Sequence, residues 1–555
     1  MKSDKHEFLN GTFASISAQP GARQCADLAP LKSLDLTGLH RAVADAPGSF
    51  AVGLHLHDGS AFLAVDRFAV HSACYRVIDG QIQFAERADA WAGSGCALDK
   101  QALFDYLYFH AIPSPRTVWQ GVHRLPPGHC AVFQNGKLSV SAYWVPQFAP
   151  PRGAASFGAL KDEFRGLLRD ATARQLDGGK AACFLSGGTD SSTVAGMIAH
   201  VTGQGAASYS IGFEAEGYDE MAYARIASKH FGTEHHEYYV TPDDLVRSIP
   251  DVAAHYDQPF GNSSAVPAFY CARMAREDGV TRILAGDGGD ELFGGNKRYA
   301  TQRVFGAYDH VPPWMRGIIE PVFGSAPINK LPLLRKGASY INQARVPMPD
   351  RLQTYNLLQR LGVADVLAPG FTAQVNTQGP QQHQREVWAQ SAGASLLDRQ
   401  LAFDWRYTLA ENDLPKVCGT TQLAGISVGF PMLDRQLVDF STRLPTQYKL
   451  NGLKLRWFFK EALRGFLPDE IIVKKKQGFG LPFGVWAVKH AALNALARDA
   501  LGSLSTRGIV RPAFIQSLLQ DKLPAHPGYY GEMVWILMML EHWLRAHSPS
   551  YDMGH

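Results

Sequence analysis

The sequence is poor in cysteine and has no apolar run of membrane-spanning length. Its seven cysteines are scattered over 555 residues without a CxxC pair, which argues against a disulfide framework and against a cysteine-ligated zinc site. The longest apolar run near the end, residues 533–540, stops at Glu541, whereas a membrane span needs roughly 20 apolar residues. This run therefore predicts a buried core helix.

The first residues do not predict an export signal, and the chain carries no strong charge of either sign. No apolar segment follows the first five residues, so we expect a cytoplasmic protein. A net charge of +3 gives no reason to expect nucleic acid or a membrane surface as a partner. With 46% apolar and 19% charged residues, the composition is that of a globular protein, and its length predicts at least two domains.

Two patterns divide the chain near residue 146. In the first part, short strand-like runs alternate with turns, at residues 50–56, 61–65, 82–84 and 129–133. In the second part, strand-like runs alternate with helical stretches, at residues 181–185, 207–213 and 282–285. Prolines between 146 and 151 indicate a linker. We therefore expect an α/β protein with a β-rich layered domain (1–146) and a doubly wound parallel-sheet domain with extra helices (152–550). Residues 303–401 contain no motif from which we could predict a catalytic or binding role.

The most informative stretch is Ser186-Gly187-Gly188-Thr189-Asp190-Ser191-Ser192, which follows a predicted buried strand and opens a predicted helix. A strand, a glycine turn and a helix N-terminus form an anion cradle, because free N–H groups and the helix dipole converge there. No lysine follows the glycines, which excludes the GxxxxGK[ST] phosphate loop. Asp190 would repel a phosphate unless a cation lay between them. The stretch therefore predicts a Mg²⁺–pyrophosphate site at which ATP is cut between its α and β phosphates.

A second acidic loop, Gly286-Asp287-Gly288-Gly289-Asp290-Glu291, follows the predicted strand at 282–285. It should lie at the same carboxyl edge of the sheet as the first loop. Carboxylates among glycines suit Mg²⁺, which takes one or two carboxylates together with phosphates and waters. Taken alone, this loop could equally be a Gly/Asp-rich surface turn. Its occurrence together with the first loop favours a metal-binding role.

A lysine run, Lys474 to Lys476, precedes a glycine loop at 477–480. Such a run is usually a solvated face. In a reaction that expels pyrophosphate, however, one of these ammonium groups could stabilise the negative charge that develops.

Taken together, these segments resemble the asparagine synthetase family of N-type ATP pyrophosphatases. The resemblance covers most of the chain. In the second part it rests on the two loops, on Ile211-Gly212-Phe213, on Pro431-Met432-Leu433-Asp434 and on residues 476–482. In the first part it rests on residues 64–68, 125–129 and 143–144, which are similar to the family's glutaminase domain, an Ntn-type layered fold.

The resemblance implies roles for individual residues. Asp190 and Asp290 would hold Mg²⁺. Asp287, together with Glu411, would accept the ammonium proton of the attacking amine, and Lys476 would stabilise the acyl-transfer intermediate. The residues expected to bind ATP are Leu185, Ser186, Gly187, Gly188, Asp190, Ser191, Ser192, Ile211, Gly212 and Gly286.

Departures from the family pattern bear on the substrate. Family glutaminases use an N-terminal cysteine as nucleophile, whereas position 2 is Lys2 and no cysteine precedes Cys25. The glutamine-cradling segment is also missing, so we expect an inactive glutaminase domain. Four positions that are usually charged in the synthetase half are Cys418, Gly419, Ser427 and Gly429. Their smaller, uncharged side chains favour a substrate larger and less charged than aspartate, with neutral drift as the other interpretation.

These features together favour a lasso-peptide cyclase, a macrolactam synthetase that joins an Asp or Glu side chain of a precursor peptide to the peptide's own N-terminal amine. The resemblance then implies ATP and Mg²⁺ as cofactors and a leader peptidase and a leader-binding protein as partners. Three alternatives remain open. They are an asparagine synthetase that uses free ammonia, a β-lactam or carbapenam-type synthetase, in which tyrosine is expected at position 287, and a nucleotide-binding module without catalysis.

Overall fold

The computed structural model describes residues 12–13, 35–56, 58–149, 155–215, 217–306, 308, 311–312, 314–316, 332–474 and 480–553. Within them, the chain forms an N-terminal part rich in antiparallel strands and a larger, helix-rich part built on a parallel sheet. The expected α/β fold class, with a layered domain followed by a doubly wound one, is confirmed.

Two antiparallel sheets form the N-terminal part. The strands are β1 (Thr12–Phe13), β2 (Ala51–His55), β3 (Ala61–Val65), β4 (Cys74–Ile78), β5 (Gln81–Ala85), β6 (His123–Arg124), β7 (His129–Gln134) and β8 (Lys137–Ala142). One sheet has the order β1-β2-β3-β7-β8 and the other β5-β4-β6. Alternate apolar side chains of each sheet, such as Leu63 and Phe84, meet in one buried cluster. Helix α1 (Leu36–Asp45) covers the outer face of the larger sheet with Leu39 and Val43.

The second part is built on five parallel strands. They are β9 (Ala182–Phe184), β10 (Ala207–Gly212), β11 (Glu234–Tyr239), β12 (Arg282–Leu284) and β13 (Ser427–Gly429). Their order across the sheet is β11-β10-β9-β12-β13, so the chain winds outward from β9 first to one side and then to the other. The direction reverses between β9 and β12, and ligands bind in open α/β sheets outside the carboxyl ends of the strands at such a point. The two motif loops follow these two strands.

Helices surround the sheet and complete both parts. The remaining α-helices are α2 (Lys100–Phe109), α3 (Phe157–Gln175), α4 (Thr189–Thr202), α5 (Met221–Phe231), α6 (Pro242–His255), α7 (Ala265–Glu277), α8 (Gly289–Phe293), α9 (Lys297–Gly306), α10 (Pro332–Ala344), α11 (Leu357–Leu361), α12 (Val363–Val366), α13 (Pro369–Thr372), α14 (Gly379–Ala389), α15 (Leu396–Asp404), α16 (Leu414–Ala424), α17 (Arg435–Arg443), α18 (Thr446–Lys449), α19 (Trp457–Leu463), α20 (Asp469–Val473), α21 (Phe483–Lys489), α22 (Ala491–Leu504), α23 (Pro512–Ser517), α24 (Leu523–Ala525) and α25 (Pro527–His547). A π-helix, Trp405–Asp413, joins α15 to α16.

The two parts share one hydrophobic core. Helix α2 of the N-terminal part packs in the same buried cluster as α25. The hydroxyl of Tyr106 donates a hydrogen bond to the carbonyl of Ile536 at 2.8 Å, and the rings of Trp119 and Trp543 lie 5.8 Å apart. The core helix predicted at 533–540 is confirmed as the central part of α25. Of the helices described, none is both long and apolar enough to cross a membrane.

Candidate active site

A crevice of about 1200 Å³ opens at the carboxyl edge of the parallel sheet, where the loops after β9 and β12 meet. Of the residues expected to bind ATP, it is lined by Leu185, Ser186, Gly188, Asp190, Ser191, Ile211 and Gly286, and the side chains of Asp287 and Asp290 line it as well. Gly187, Ser192 and Gly212 belong to the same segments but are not part of the lining. The structure therefore brings most of the predicted nucleotide residues to one place.

The first loop has the form of an anion cradle. The backbone N–H of Ser186 donates to the Ser191 hydroxyl at 3.1 Å, and the two serine hydroxyls lie 3.0 Å apart, which closes the turn. Gly188 is the N-cap of α4 and carries no side chain that could bond the first N–H groups of this 14-residue helix. Gly187 adopts a φ of +66° against the backbone of Tyr223, where no side chain would fit. This arrangement suits a phosphate.

The carboxylates of Asp190 and Asp290 converge on one cation, Arg456. One nitrogen of its guanidinium, Nη1, lies 2.9 Å from Asp190 Oδ2 and 2.7 Å from Asp290 Oδ1, and it also donates to the Thr189 hydroxyl at 2.8 Å. The other nitrogen, Nη2, donates to Asp190 Oδ1. Sequence reasoning missed Arg456, which follows Asp190 by 266 residues and belongs to neither loop.

The donor set at this point fits a magnesium nucleotide. Two carboxylates converge, and glycines leave room for them, since a Cβ on Gly289 would collide with Asp190 and one on Gly295 with Asp290. A Cβ on Gly286 would lie 2.8 Å from the Ser191 backbone nitrogen, so this glycine lets the two loops touch. The described ranges contain no group of three or more His, Cys, Asp or Glu side chains that could hold a metal alone. Phosphate oxygens and water would therefore have to complete the coordination, as is usual for Mg²⁺.

Asp287 lies beside a partly buried lysine that sequence reasoning did not select. Lys416 Nζ is 3.7 Å from Asp287 Oδ1 and 3.1 Å from Asp413 Oδ1. Burial raises the pKa of Asp287, and Lys416 opposes that rise. Burial also opposes the charge of Lys416, yet the two carboxylates raise its pKa above the usual range, so it stays cationic. Burial raises the pKa of the neighbouring Glu291 to about 8.

Glu411 lies outside the crevice, in a buried ion cluster between the two parts of the chain. Its carboxylate accepts hydrogen bonds from the Ser114 hydroxyl at 2.7 Å and the Ser114 N–H at 3.1 Å. Arg124 donates to it at 3.0 Å, and Arg406 also donates to it. A carboxylate bound by two guanidinium groups is a poor proton acceptor, so this arrangement does not support the expected role of Glu411 beside Asp287, which stays a prediction.

The lysine run reaches the crevice through its first member. Lys474 Nζ lies 3.2 Å from Glu220 Oε2, donates to the Gly187 carbonyl at 3.3 Å and sits 4.4 Å above the Tyr223 ring. Lys476, the residue expected to stabilise the intermediate, lies outside the described residues. The first lysine of the run thus supports the phosphate loop directly.

The four unusual uncharged residues lie away from the crevice. Cys418 and Gly419 line a separate cavity of about 150 Å³ between the two parts of the chain. Ser427 and Gly429 belong to β13, at the edge of the sheet. None of the four lines the crevice within the described part of the chain. Their expected effect on the size and charge of the substrate therefore has no direct contact to support it and stays a prediction. A Cβ on Gly419 would lie 2.5 Å from the Tyr256 ring, so this glycine accommodates Tyr256.

The N-terminal part contributes a side chain to the crevice. His110 ends α2 with a φ of +63°, and its carbonyl accepts a hydrogen bond from Gly261 at 2.8 Å. Its Nδ1 lies 3.7 Å from Glu532 Oε1. Burial lowers the pKa of His110 to about 4, so the ring is neutral near pH 7. His110 and Glu532 both line the crevice, which therefore extends from the phosphate loops to the N-terminal part.

Comparison with known proteins agrees with this geometry. Residues 163–545 match the family model described as Asparagine synthase, and residues 31–144 match the one described as Glutamine amidotransferase domain. Because the first match covers more than half of the sequence, the chain belongs to the asparagine synthase family. The chain is therefore an ATP-dependent, amide-forming ligase.

Individual relatives are distant. The chain is 23% identical over 489 residues to asparagine synthetase (glutamine-hydrolyzing) 1 of Bacillus subtilis. The aligned region covers 86% of this chain and 74% of the relative. The chain is 22% identical over 378 residues to asparagine synthetase 3 of the same organism, over 65% of this chain and 55% of the relative. It is also 22% identical over 408 residues to amidase chry2 of Gibberella zeae, over 67% of this chain and 60% of the relative.

Proposed function

We propose that this ligase closes a macrolactam in a precursor peptide, as a lasso-peptide cyclase does. The observation that carries the proposal is the size of the crevice. Its volume of about 1200 Å³ exceeds the roughly 300–1,000 Å³ of most small-molecule sites. Beyond the phosphate loops it continues past Asp287 and Asn262 to His110 and Glu532. This leaves room beside a nucleotide for an acceptor much larger than ammonia.

The groups near the two loops of the crevice have parts in the proposed reaction. A side-chain carboxylate of the peptide attacks the α-phosphorus of ATP, and pyrophosphate leaves. Asp190 and Asp290 would hold Mg²⁺, which supplies positive charge opposite the pyrophosphate. The first loop orients the phosphates, and Lys474 supports that loop. The resulting acyl-adenylate carries the activated carbonyl carbon toward Asp287.

The second half-reaction forms the ring. The N-terminal amine of the peptide attacks the acyl carbon and forms the C–N bond. The bond between the acyl carbon and the AMP oxygen then breaks, and AMP leaves. Asp287 takes the ammonium proton from the attacking amine. The positive charge of Lys416, 3.7 Å away, remains beside the Asp287 carboxyl group before and after this transfer. Lys476 is the proposed stabiliser of the tetrahedral intermediate. Holding amine and acyl carbon together is worth about 7–11 kcal/mol in well-oriented intramolecular reactions.

We expect no glutamine hydrolysis by the N-terminal domain. Burial raises the pKa of Cys74 to about 12 and also raises that of Cys130, and a thiol in this state is a poor nucleophile. Cys25 lies outside the described residues. Glutamate release from glutamine should stay at the background rate, measured by coupled glutamate oxidation, and Lys2→Ala should change no activity. Glutamate formed in step with AMP would contradict this prediction.

Asparagine synthesis from free ammonia is the second candidate. The Bacillus relatives are named as glutamine-hydrolyzing asparagine synthetases, which favours asparagine as the product but not ammonia as the nitrogen source. One of the similar proteins is named an amidase, so the relatives of this chain are not all named as asparagine synthetases. A β-lactam or carbapenam-type synthetase is less well supported, because Asp287 stands where that class is expected to have tyrosine.

The candidates differ in the substrates that they need besides ATP. Pyrophosphate release should be measured with ATP and three substrate sets: aspartate with ammonium, a β-amino acid, and a linear precursor peptide. The cyclase proposal expects release only with the peptide, together with a product lighter by one water in mass spectrometry. Release with aspartate and ammonium, and with no peptide, would overturn it. A precursor gene beside genes for a leader peptidase and a leader-binding protein would identify the peptide to test.

A further inference from the structure

We propose that Arg456 is an internal counterion that keeps free Mg²⁺ out of the acidic site and admits the metal only together with the nucleotide. The inference rests on the magnesium nucleotide site of the proposed function, and it does not depend on which acceptor the enzyme uses. Arg456 would thus be a positioning residue that sets the order in which metal and ATP bind.

The guanidinium occupies the point where the two loops face each other. Its Nη1 lies within 2.9 Å of carboxylate oxygens of both Asp190 and Asp290. It also reaches the Thr189 hydroxyl at the start of α4. Arg456 therefore bonds at the same time to Asp190 in the first turn of α4 and to Asp290 in the first turn of α8. It neutralises one of the two negative charges.

Arg456 is also fixed by its surroundings. The residue is 5% exposed, and its guanidinium carbon lies 4.2 Å from the centre of the Phe459 ring. Its backbone N–H donates to the Gly294 carbonyl at 3.2 Å, next to the second loop, and its φ is +53°. A Cβ on Gly295 would lie 2.6 Å from Arg456 Cδ, so a glycine is needed where the side chain passes.

The arrangement makes Mg²⁺ alone a poor ligand. To reach both carboxylates, the ion would have to lose tightly held water and break the charge-assisted hydrogen bonds of Arg456. It would then leave a buried guanidinium without an anion, which is unfavourable.

A nucleotide removes this penalty. Its phosphate oxygens give the guanidinium new anionic acceptors, and arginine binds phosphates in the same planar geometry in which it binds carboxylates. One donor of Arg456, Nε, is buried and has no hydrogen-bond partner among the residues that the structure describes, so the group has capacity for a further acceptor. Metal and arginine can then share the site, because the phosphates bring the negative charge that both require.

The test measures metal binding without turnover. Mn²⁺ serves as the probe, and its binding to the full-length protein is followed by electron paramagnetic resonance, with and without a nonhydrolysable ATP analogue. The wild type should bind Mn²⁺ at least about tenfold more tightly with the analogue than without it. Arg456→Met should bind Mn²⁺ in the absence of nucleotide, and Arg456→Met combined with Asp290→Ala should lose that binding.

Arg456→Lys is the matched control, because it keeps the positive charge and should exclude Mn²⁺ as the wild type does. Equal binding by the wild type with and without the analogue would overturn the proposal, and that result needs no variant. Absence of Mn²⁺ binding by Arg456→Met, in a protein that melts as the wild type does, would also overturn it. If the wild type bound no Mn²⁺ even with the analogue, the magnesium nucleotide site itself would be wrong.

Discussion

Asp290→Ala is expected to lower ATP-dependent pyrophosphate formation by about 10²–10³-fold or more, the range found when one group that stabilises transition-state charge is removed. The charge on the departing pyrophosphate is large, and Asp290 is one of two carboxylates that converge where its counterion would sit. Pyrophosphate should be measured with each of the three substrate sets, so that the result does not depend on the identity of the acceptor.

The same substitution should leave the fold intact. Without Asp290, Arg456 still bonds to Asp190 and to the Thr189 hydroxyl, so the guanidinium keeps an anionic partner. The melting temperature should therefore stay close to that of the wild type. Asp162→Ala, at an exposed position on α3, is the matched control and should change neither quantity. A large fall in melting temperature for Asp290→Ala would indicate a structural loop and count against the metal site.

Glu411→Ala is expected to lower the stability of the protein by about 3–5 kcal/mol, because removing one member of a buried ion cluster leaves the others uncompensated. Arg406 and Arg124 would lose their shared carboxylate, and the Ser114 hydroxyl would lose its acceptor. The cluster joins the N-terminal part to the π-helix. The loss of stability should therefore appear as a lower urea concentration at the midpoint of unfolding.

Glu386→Ala is the control for this experiment, since Glu386 is an exposed glutamate on α14 and its loss should change the stability by less than about 0.5 kcal/mol. The comparison also decides what Glu411 does. If Glu411→Ala unfolded like the wild type but formed no pyrophosphate or amide product, the carboxylate would act in catalysis and the interface role would be wrong.

Local sequence patterns predicted the framework of the site well. The strand at Ala61–Val65 has the predicted bounds, and both acidic loops lie at the carboxyl edge of the sheet as expected. These features follow from neighbouring residues: an apolar run forms a buried strand, and glycines after it permit a tight turn. Such signals need no knowledge of the rest of the chain.

The charges that complete the site could not be predicted in this way. Arg456 and Lys416 reach the loops from segments far along the chain, and no local pattern specifies which remote cation will meet a given carboxylate. The contacts of Glu411 with Arg124 and Arg406 are of the same long-range or tertiary kind. Glu411 lies in the π-helix, whose turns determine whether a side chain faces the crevice or the N-terminal part. Tertiary packing alone settles that direction.

The packing of α2 against α25 limits how this enzyme can change during evolution. Separate domains with small, polar interfaces can be lost from a gene without unfolding their neighbours. Here Tyr106 and Trp119 contact Ile536 and Trp543 within a shared buried cluster, so we expect a chain without its N-terminal part to expose apolar surface and to be prone to aggregation. The second part of the chain therefore depends on the first for its fold, whatever the first part catalyses.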